Sequence, residues 1–239
     1  MEKCTIYYQT SSDIPAPHCF SVKAAVMVSN KKELQISVEQ IFTDRDEIPK
    51  EEIEAEGFSL DDDFIWEGTL PAIWLDHYQN LMKETEFKSG QGERITIENE
   101  LNKALKSPIV EKDWVLYSEE LIQACLEQSG REQAMELVLG RLEKNNFYEQ
   151  ARVVWLFPER MAIAEILKGA KMEFKGSEWT DAQKEIQFWI EKEASTEDLY
   201  QLPKRKGWFW LLNGEIWLPC DEKQKGKIWN WVLGKVNMK

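Results

Sequence analysis

Two neighbouring segments near the start of the chain carry β-branched and aromatic residues in rough alternation with polar ones. They span Cys19 to Ser29 and Glu33 to Thr43, and a polar Asn-Lys-Lys stretch separates them. In the second segment Ile36 and Val38 would be buried while Ser37 would face water. Segments of this kind on either side of a short polar turn are typical of a β-hairpin, and we expect one here.

Helical spacing appears next along the chain. Pro49 and Gly57 bound a short acidic segment, residues 51–56, that we expect to be a helix. A longer helix is predicted by Trp74 and Tyr78, which Leu81 continues at intervals of three and four residues. We expect it to begin after Thr69-Leu70-Pro71, with the threonine hydroxyl as its cap, and to end near residue 86.

A further helix is predicted from Ser118, since the two glutamates that follow suit the first turn of a helix. Its apolar face would contain Leu121, Ile122 and Cys125, and Ser129-Gly130 would end it. The next segment, residues 131–144, fits a helix and a strand about equally well. The Asn145-Asn146 turn and the apolar residues 153–157 favour a second hairpin, and residues 161–167 a third strand.

Two local signals stand out in the last third of the chain. Thr180 and Gln183 match a capping box, which predicts a helix with Ile186, Trp189 and Ile190 on one face. The Asn213-Gly214 dipeptide between two apolar runs predicts a tight β-hairpin.

Strands and helices follow each other without regular βαβ alternation. We therefore expect an α+β fold, in which antiparallel hairpins form one or two sheets packed with four to six helices. A chain of 239 residues fits a single compact domain, 1–239, and an alternative is two lobes that meet near residues 100–117.

Tryptophan distribution is the most unusual feature of the composition. Five of the eleven tryptophans lie between Trp208 and Trp231. If the Asn-Gly loop has two residues, Trp210 pairs with Trp217, and Trp208 shares their face of the hairpin. A hairpin that is apolar on both faces must bury at least one, so we favour a core role over an exposed platform for a sugar, a base or a partner side chain.

Charge is distributed unevenly along an acidic chain whose formal net charge is −13. Asp44 to Glu67 contains eleven acids and two bases, a balance of −9. Tyr200 to Lys239 contains eight bases and three acids, a balance of +5. Lys204-Arg205-Lys206 before the tryptophans is a weak signal for single-stranded nucleic acid, which the overall negative charge disfavours.

The segment from Lys223 to Val236 mixes lysines with tryptophans, but its apolar positions spread too widely for one membrane-facing side. We expect it to dock on the protein itself. The chain starts without the apolar stretch of a secretory signal, and no apolar run reaches the ~20 residues of a membrane helix. Scattered cysteines at 4, 19, 125 and 220 agree with buried thiols in a cytoplasmic protein.

Catalytic and metal-binding patterns are weak. His18 and His77 do not form a metal-binding pair, and the aspartates at 61–63 lack the spacing and the glycine of a calcium loop. We expect no metal and no cofactor. The sequence names no catalytic residue and favours a protein that is not an enzyme, although distant carboxylates can form a site without any sequence spacing.

The leading hypothesis is a protein-interaction protein of the inhibitor or immunity type that masks a basic protein partner. Its contact would be the acidic segment, where Asp61, Asp62 and Asp63 precede Phe64 and Trp66. The first alternative is a small-molecule or carbohydrate binder, which an enzyme would also be, with Trp208, Trp210 and Trp217 lining a pocket. The second is a subunit that self-associates through the apolar hairpin.

Overall fold

The computed structural model describes residues 3–28, 33–144, 146–167, 169–176, 178–184, 207–214, 216–219, 230–232 and 234. The chain divides into two compact units, Met1–Glu132 and Gln133–Lys239. Residues 100–117 lie inside the first unit. A single compact domain stays a prediction.

The first unit contains seven strands and three α-helices among its described residues. The strands are β1 (Lys3–Gln9), β2 (Phe20–Val28), β3 (Leu34–Phe42), β4 (Phe64–Leu70), β5 (Phe87–Ser89), β6 (Ile95–Asn99) and β7 (Leu105–Pro108). The helices are α1 (Lys50–Ala55), α2 (Ala72–Glu84) and α3 (Lys112–Gln128), and a 3-10 turn spans Arg45–Glu47.

The seven strands form one antiparallel sheet in the order β4-β3-β2-β1-β6-β7-β5. Strand β1 lies in the interior of this sheet, where Ile6 pairs with Ala24 on one side and with Ile97 on the other. Every second residue of β1 faces the helices: Cys4 contacts Tyr78 of α2 across 2.8 Å, and Tyr8 donates a hydrogen bond to Glu119 of α3 at 2.8 Å.

Aromatic side chains of α2 and α3 fill the space between the helices and the sheet. Trp74, Trp114 and Tyr117 are fully buried, and edge-to-face contacts of about 6 Å between ring centroids connect them. The apolar stripe predicted for residues 74–78 is therefore part of the core.

The second unit contains β8 (Met135–Glu143), β9 (Asn146–Leu156), β10 (Met161–Ile166), β11 (Lys171–Lys175), β12 (Gly207–Leu212) and β13 (Ile216–Pro219). They form an antiparallel sheet in the order β11-β10-β9-β8-β12-β13. One face carries a buried cluster that includes Leu139, Trp155, Phe174, Trp179 and Trp210.

The expected α+β class with four to six helices is wrong. Of the described residues, 44% lie in strands and 27% in helices, and three helices are substantial, so the fold is mostly β. Two causes explain the error. Short strands such as β5 and β7 carry too few residues to show alternation, and β11 places lysines at both ends of a five-residue strand.

Hairpins and helix bodies predicted from local signals are confirmed. Strands β2 and β3 pair along their whole length, β8 and β9 form the second hairpin, and β10 follows as the third strand. Helices α1 and α2 lie within two residues of the predicted bounds. The Asn-Lys-Lys turn and the apolar face at 186–190 lie outside the described residues.

The predicted helix caps are wrong. Thr69 belongs to β4, and α2 begins after Pro71 without a side-chain cap. Ser118 lies in the middle of α3, where its hydroxyl donates to the Trp114 carbonyl at 2.8 Å. Thr180 lies inside a helix that already includes residue 178. Hydroxyl residues that bond the preceding turn of a helix carry the same local signal as caps.

Candidate functional site

The three consecutive aspartates of the acidic segment have different roles in the structure. Asp62 accepts hydrogen bonds from the Ser59 backbone N–H and hydroxyl, each at 2.7 Å, and from Arg45 at 2.8 Å. Asp63 accepts one from the Phe42 N–H at 2.9 Å. Asp61 is exposed to solvent. Two of the three carboxylates therefore stabilise the segment itself.

Arg45 is the centre of this segment. Its side chain is buried, with the residue 4% exposed, and its guanidinium carbon lies 3.7 Å from the centroid of the Phe42 ring and 4.9 Å from that of Phe58. It also donates to the carbonyl oxygens of Pro17, at 3.0 Å, and Ser59. A buried cation needs such partners, and together they fix the chain between β3 and β4.

Hydrogen bonding controls the ionisation of Asp62. Partial burial raises the pKa of its carboxyl, but the bonds from Ser59 and Arg45 outweigh burial and hold the pKa below its ordinary value of 3.8. The carboxylate is therefore charged at neutral pH, and the ion pair with Arg45 is formed.

Ten of the eleven acidic side chains between residues 44 and 67 are exposed. We call them the acidic surface; they are Asp44, Asp46, Glu47, Glu51, Glu52, Glu54, Glu56, Asp61, Asp63 and Glu67. Of the two bases in the segment, Arg45 is buried and Lys50 pairs with Glu54 at 3.1 Å. The negative charge therefore faces solvent and is little compensated within the segment.

Apolar side chains accompany these charges, but they differ from the predicted ones. Phe64 is buried and Trp66 is half-buried, with its ring over Gly68. Leu60 and Ile65 are instead exposed, at 52% and 76%. Strand alternation explains the difference, because Phe64 faces the helices and its neighbour Ile65 faces away from them.

A cavity of about 620 Å³ lies over the face of the first sheet that points away from α2 and α3. Its floor includes a row of side chains in register across four strands: Glu39, Lys23, Tyr7 and Thr96. Sequence reasoning missed this cavity. Each strand contributes at most three residues to it, and β1 and β6 are about 90 positions apart in the chain.

One charged side chain of this cavity, Glu98, has two close partners. Glu98 accepts a hydrogen bond from the Tyr7 hydroxyl at 2.8 Å and lies 3.0 Å from the Lys103 ammonium. These bonds, from Lys103 first, hold the pKa of Glu98 below its ordinary value, while the bond to Glu98 and burial raise the pKa of Tyr7. Three carboxylates, Glu39, Glu93 and Glu98, and two cations, Lys23 and Arg94, line the cavity, so its net charge is small.

One wall of the cavity is the segment 91–94. The Glu111 carboxylate accepts hydrogen bonds from the backbone N–H groups of Glu93 and Arg94 at 3.1 and 3.2 Å. A Cβ added at Gly92 would collide with the Ile95 carbonyl oxygen and with Glu111. The wall is therefore fixed by its own hydrogen bonds.

The tryptophan hairpin is formed by β12 and β13, but its predicted register is wrong by one residue. Leu212 pairs with Ile216 and Trp210 with Leu218. Asn213 explains the shift. Its backbone N–H donates to the Glu136 carbonyl at 2.8 Å and its side chain accepts from the Glu136 N–H at 2.7 Å, so Asn213 continues the pairing of β12 with β8.

The shift separates the three tryptophans between the two faces of the hairpin. Trp210 is 1% exposed in the core, and Trp208 packs half-buried on the same face. Trp217 lies on the opposite face, edge-to-face with Phe209 and Phe147 at 6.2 and 5.1 Å between ring centroids. The core role is confirmed for Trp210, and a common surface of all three is excluded by this register. Residues 204–206 lie outside the described part.

A smaller cavity of about 360 Å³ lies beside Trp208 in the second unit. Arg141, Glu143, Tyr148 and Gln150 form the rest of its lining. Of the hairpin tryptophans predicted to line a pocket, Trp208 is the one that lines this cavity.

The histidines pack on aromatic rings, and the described cysteines are buried. His18 packs edge-to-face on Phe58 at 5.1 Å, and His77 packs on Tyr117 at 5.2 Å. Cys4, Cys19 and Cys125 are buried thiols outside any disulfide, as expected, and burial raises the pKa of Cys125; Cys220 lies outside the described residues.

Within the described ranges, histidine, cysteine and carboxylate side chains form no group of three that could hold a metal ion. In the same part of the chain, helices long and apolar enough to cross a membrane are absent. No protein-family model, curated protein or solved structure matches the chain.

Proposed function

We propose that this protein is a non-enzymatic interaction protein of the inhibitor or immunity type, whose acidic surface masks a basic protein partner. One observation carries the proposal: ten of the eleven carboxylates between residues 44 and 67 are exposed, on a segment that Arg45 holds in place from within. The segment keeps its shape without a partner, so little ordering cost opposes binding.

Electrostatics supports a basic partner. Clustered carboxylates on a chain with a net charge of −13 attract cations and repel phosphates, which disfavours nucleic acid and anionic membrane surfaces. Association with a basic protein would be fast at low salt and would slow as salt screens the charges.

Exposed apolar side chains offer surface that a partner can bury, which the carboxylates do not. Leu60 and Ile65 lie within the acidic segment and are among the most exposed large apolar residues of the described chain. A protein interface commonly combines apolar anchors with a polar rim. The proposal places the protein in the cytoplasm, in agreement with its free thiols.

Charge reversal tests the proposal. The first variant is a triple substitution, Glu51→Lys, Glu52→Lys, Asp61→Lys. It reverses the charge of three exposed side chains and keeps the hydrogen bonds of Asp62 and Asp63. The matched control, Asp76→Lys, Glu84→Lys, Asp113→Lys, changes the net charge equally at exposed positions of α2 and α3.

Each form is used to capture partners from the protein's own cells, and the affinity for the captured basic polypeptide is then measured at low salt. We expect at least a tenfold loss in the first variant, since exposed charge pairs contribute roughly 0.2–1 kcal/mol each and reversal doubles the effect. We expect much less in the control. Equal affinity of the wild type and the first variant would overturn the proposal, and so would equal losses in both variants.

A further inference from the structure

The core-facing side of the second sheet changes from apolar to partly polar at one end. Along β8 and β12 it is apolar up to Leu139 and Trp210, which pair with each other. One pair further along, Arg141 faces Trp208, and Arg141 also pairs with Tyr148 of β9. Directly paired residues point to the same side of a sheet, so these three side chains form one row across three strands.

The row has the width of a small ligand. Neighbouring strands lie about 4.8 Å apart, so the backbones that carry Trp208 and Tyr148 are about 10 Å apart with Arg141 between them. Trp208 packs against the core, whereas Tyr148 is 52% exposed. Two aromatic side chains therefore stand on either side of a guanidinium at the edge of the core.

A β-bulge adds an amide to the cavity of about 360 Å³ beside Trp208, which we call the cleft. The pairing of β8 with β9 shifts between Leu139 and Gly140, which leaves Gln150 without a cross-strand partner in the ladder. The Gln150 carbonyl accepts a hydrogen bond from the Leu167 N–H at 2.9 Å, and the Phe147 ring fills the space that a Cβ at Gly140 would need. The bulge is thus held in place, and bulges commonly redirect side chains toward binding sites.

The charged groups of the cleft neutralise each other. The Arg141 Nε lies 3.0 Å from a carboxylate oxygen of Glu143. A guanidinium has five N–H donors and a carboxylate two acceptor oxygens, so this contact leaves capacity on both groups for a ligand. The lining therefore offers donors and acceptors without a net charge.

We propose that this cleft binds a neutral sugar ring. An aromatic face suits the apolar C–H face of a pyranose, while a guanidinium, a carboxylate and an amide suit its hydroxyl groups, each of which donates and accepts. The volume of about 360 Å³ lies at the lower end of the range for small-molecule sites. This inference does not depend on the acidic surface, which belongs to the first unit.

Ligand-observed NMR and calorimetry on the whole chain test it. The probes are glucose, galactose, mannose, N-acetylglucosamine and their disaccharides, with adenosine as a planar aromatic competitor. Tyr148→Ala removes the exposed ring and Glu143→Gln removes one charge at constant shape. The matched control is Leu101→Ala, which removes an exposed apolar side chain from the first unit, outside both cavities.

We expect at least one sugar to bind with a dissociation constant below about 10 mM, and each cleft variant to weaken it about tenfold while the control binds as the wild type does. Circular dichroism shows whether each variant is folded. Absence of binding by every sugar, binding of adenosine alone, or sugar binding that the folded cleft variants leave unchanged would each overturn the proposal.

Discussion

Replacement of Arg45 by methionine should loosen the acidic segment while leaving the rest of the first unit folded. Methionine keeps most of the buried volume between Phe42 and Phe58 but cannot bond Asp62 or the carbonyl oxygens of Pro17 and Ser59. A charged hydrogen bond contributes about 1.5–3 kcal/mol, and each stranded carbonyl costs about 1 kcal/mol. The sum is about 3–5 kcal/mol, the range found when one member of a buried ion pair is removed.

Hydrogen exchange followed by mass spectrometry measures this loss where it occurs. Peptides that cover residues 42–63 should exchange faster by about two to three and a half orders of magnitude, because every 1.4 kcal/mol corresponds to about tenfold. Lys50→Met is the matched control, since it removes one positive charge from an exposed helical pair worth at most about 0.5 kcal/mol. A loss below about 1 kcal/mol for Arg45→Met would refute the role assigned to the buried guanidinium.

The same segment should respond to acid. The folded state lowers the pKa of Asp62 below 3.8, so its carboxylate stabilises the fold above that pH, and this contribution disappears as the pH falls through the lower, folded value. Asp62→Asn should therefore destabilise residues 42–63 most at neutral pH, with the difference from wild type shrinking below pH 3.8. A difference independent of pH would contradict the ion pair.

Two further substitutions test the packing of each unit. Gly92→Ala should lower the urea midpoint by the equivalent of about 2 kcal/mol, since its Cβ meets the Ile95 carbonyl and the Glu111 carboxylate. The control Gly90→Ala places its Cβ in open space and carries only backbone strain of roughly 1 kcal/mol. Equal effects of the two substitutions would argue against a fixed wall. Trp210→Ala should cost about 3–5 kcal/mol in thermal or urea unfolding of the second unit, and a loss under about 1 kcal/mol would show that this residue is not core.

Sequence patterns predicted the parts of this fold that depend on neighbours in the chain. The β2–β3 and β8–β9 hairpins follow from alternation and a nearby turn, and α2 follows from the spacing of Trp74 and Tyr78. The register of β12 and β13 was wrong because Asn213 bonds Glu136, a residue 77 positions away. The residues next to Asn213-Gly214 in the sequence do not indicate that contact.

The candidate sites show the same limit. The negative charge of the segment 44–67 was visible in the sequence. The role of Arg45, and the fact that Asp62 and Asp63 accept hydrogen bonds within the fold while Asp61 faces solvent, depend on contacts across the fold. Trp208 was predicted to line a pocket, but the other side chains of the cleft were not, since they come from two further strands and one of them is presented by a bulge.

The interior position of β1 has a consequence for synthesis. Residues 3–9 leave the ribosome well before one of the two strands they pair with, because β6 begins at Ile95. At about 5–20 residues per second, the partner strand appears roughly 4 to 20 seconds later. Through that interval one edge of β1 has unpaired backbone groups. Nascent chains that stall before residue 95 therefore expose a surface that chaperones bind.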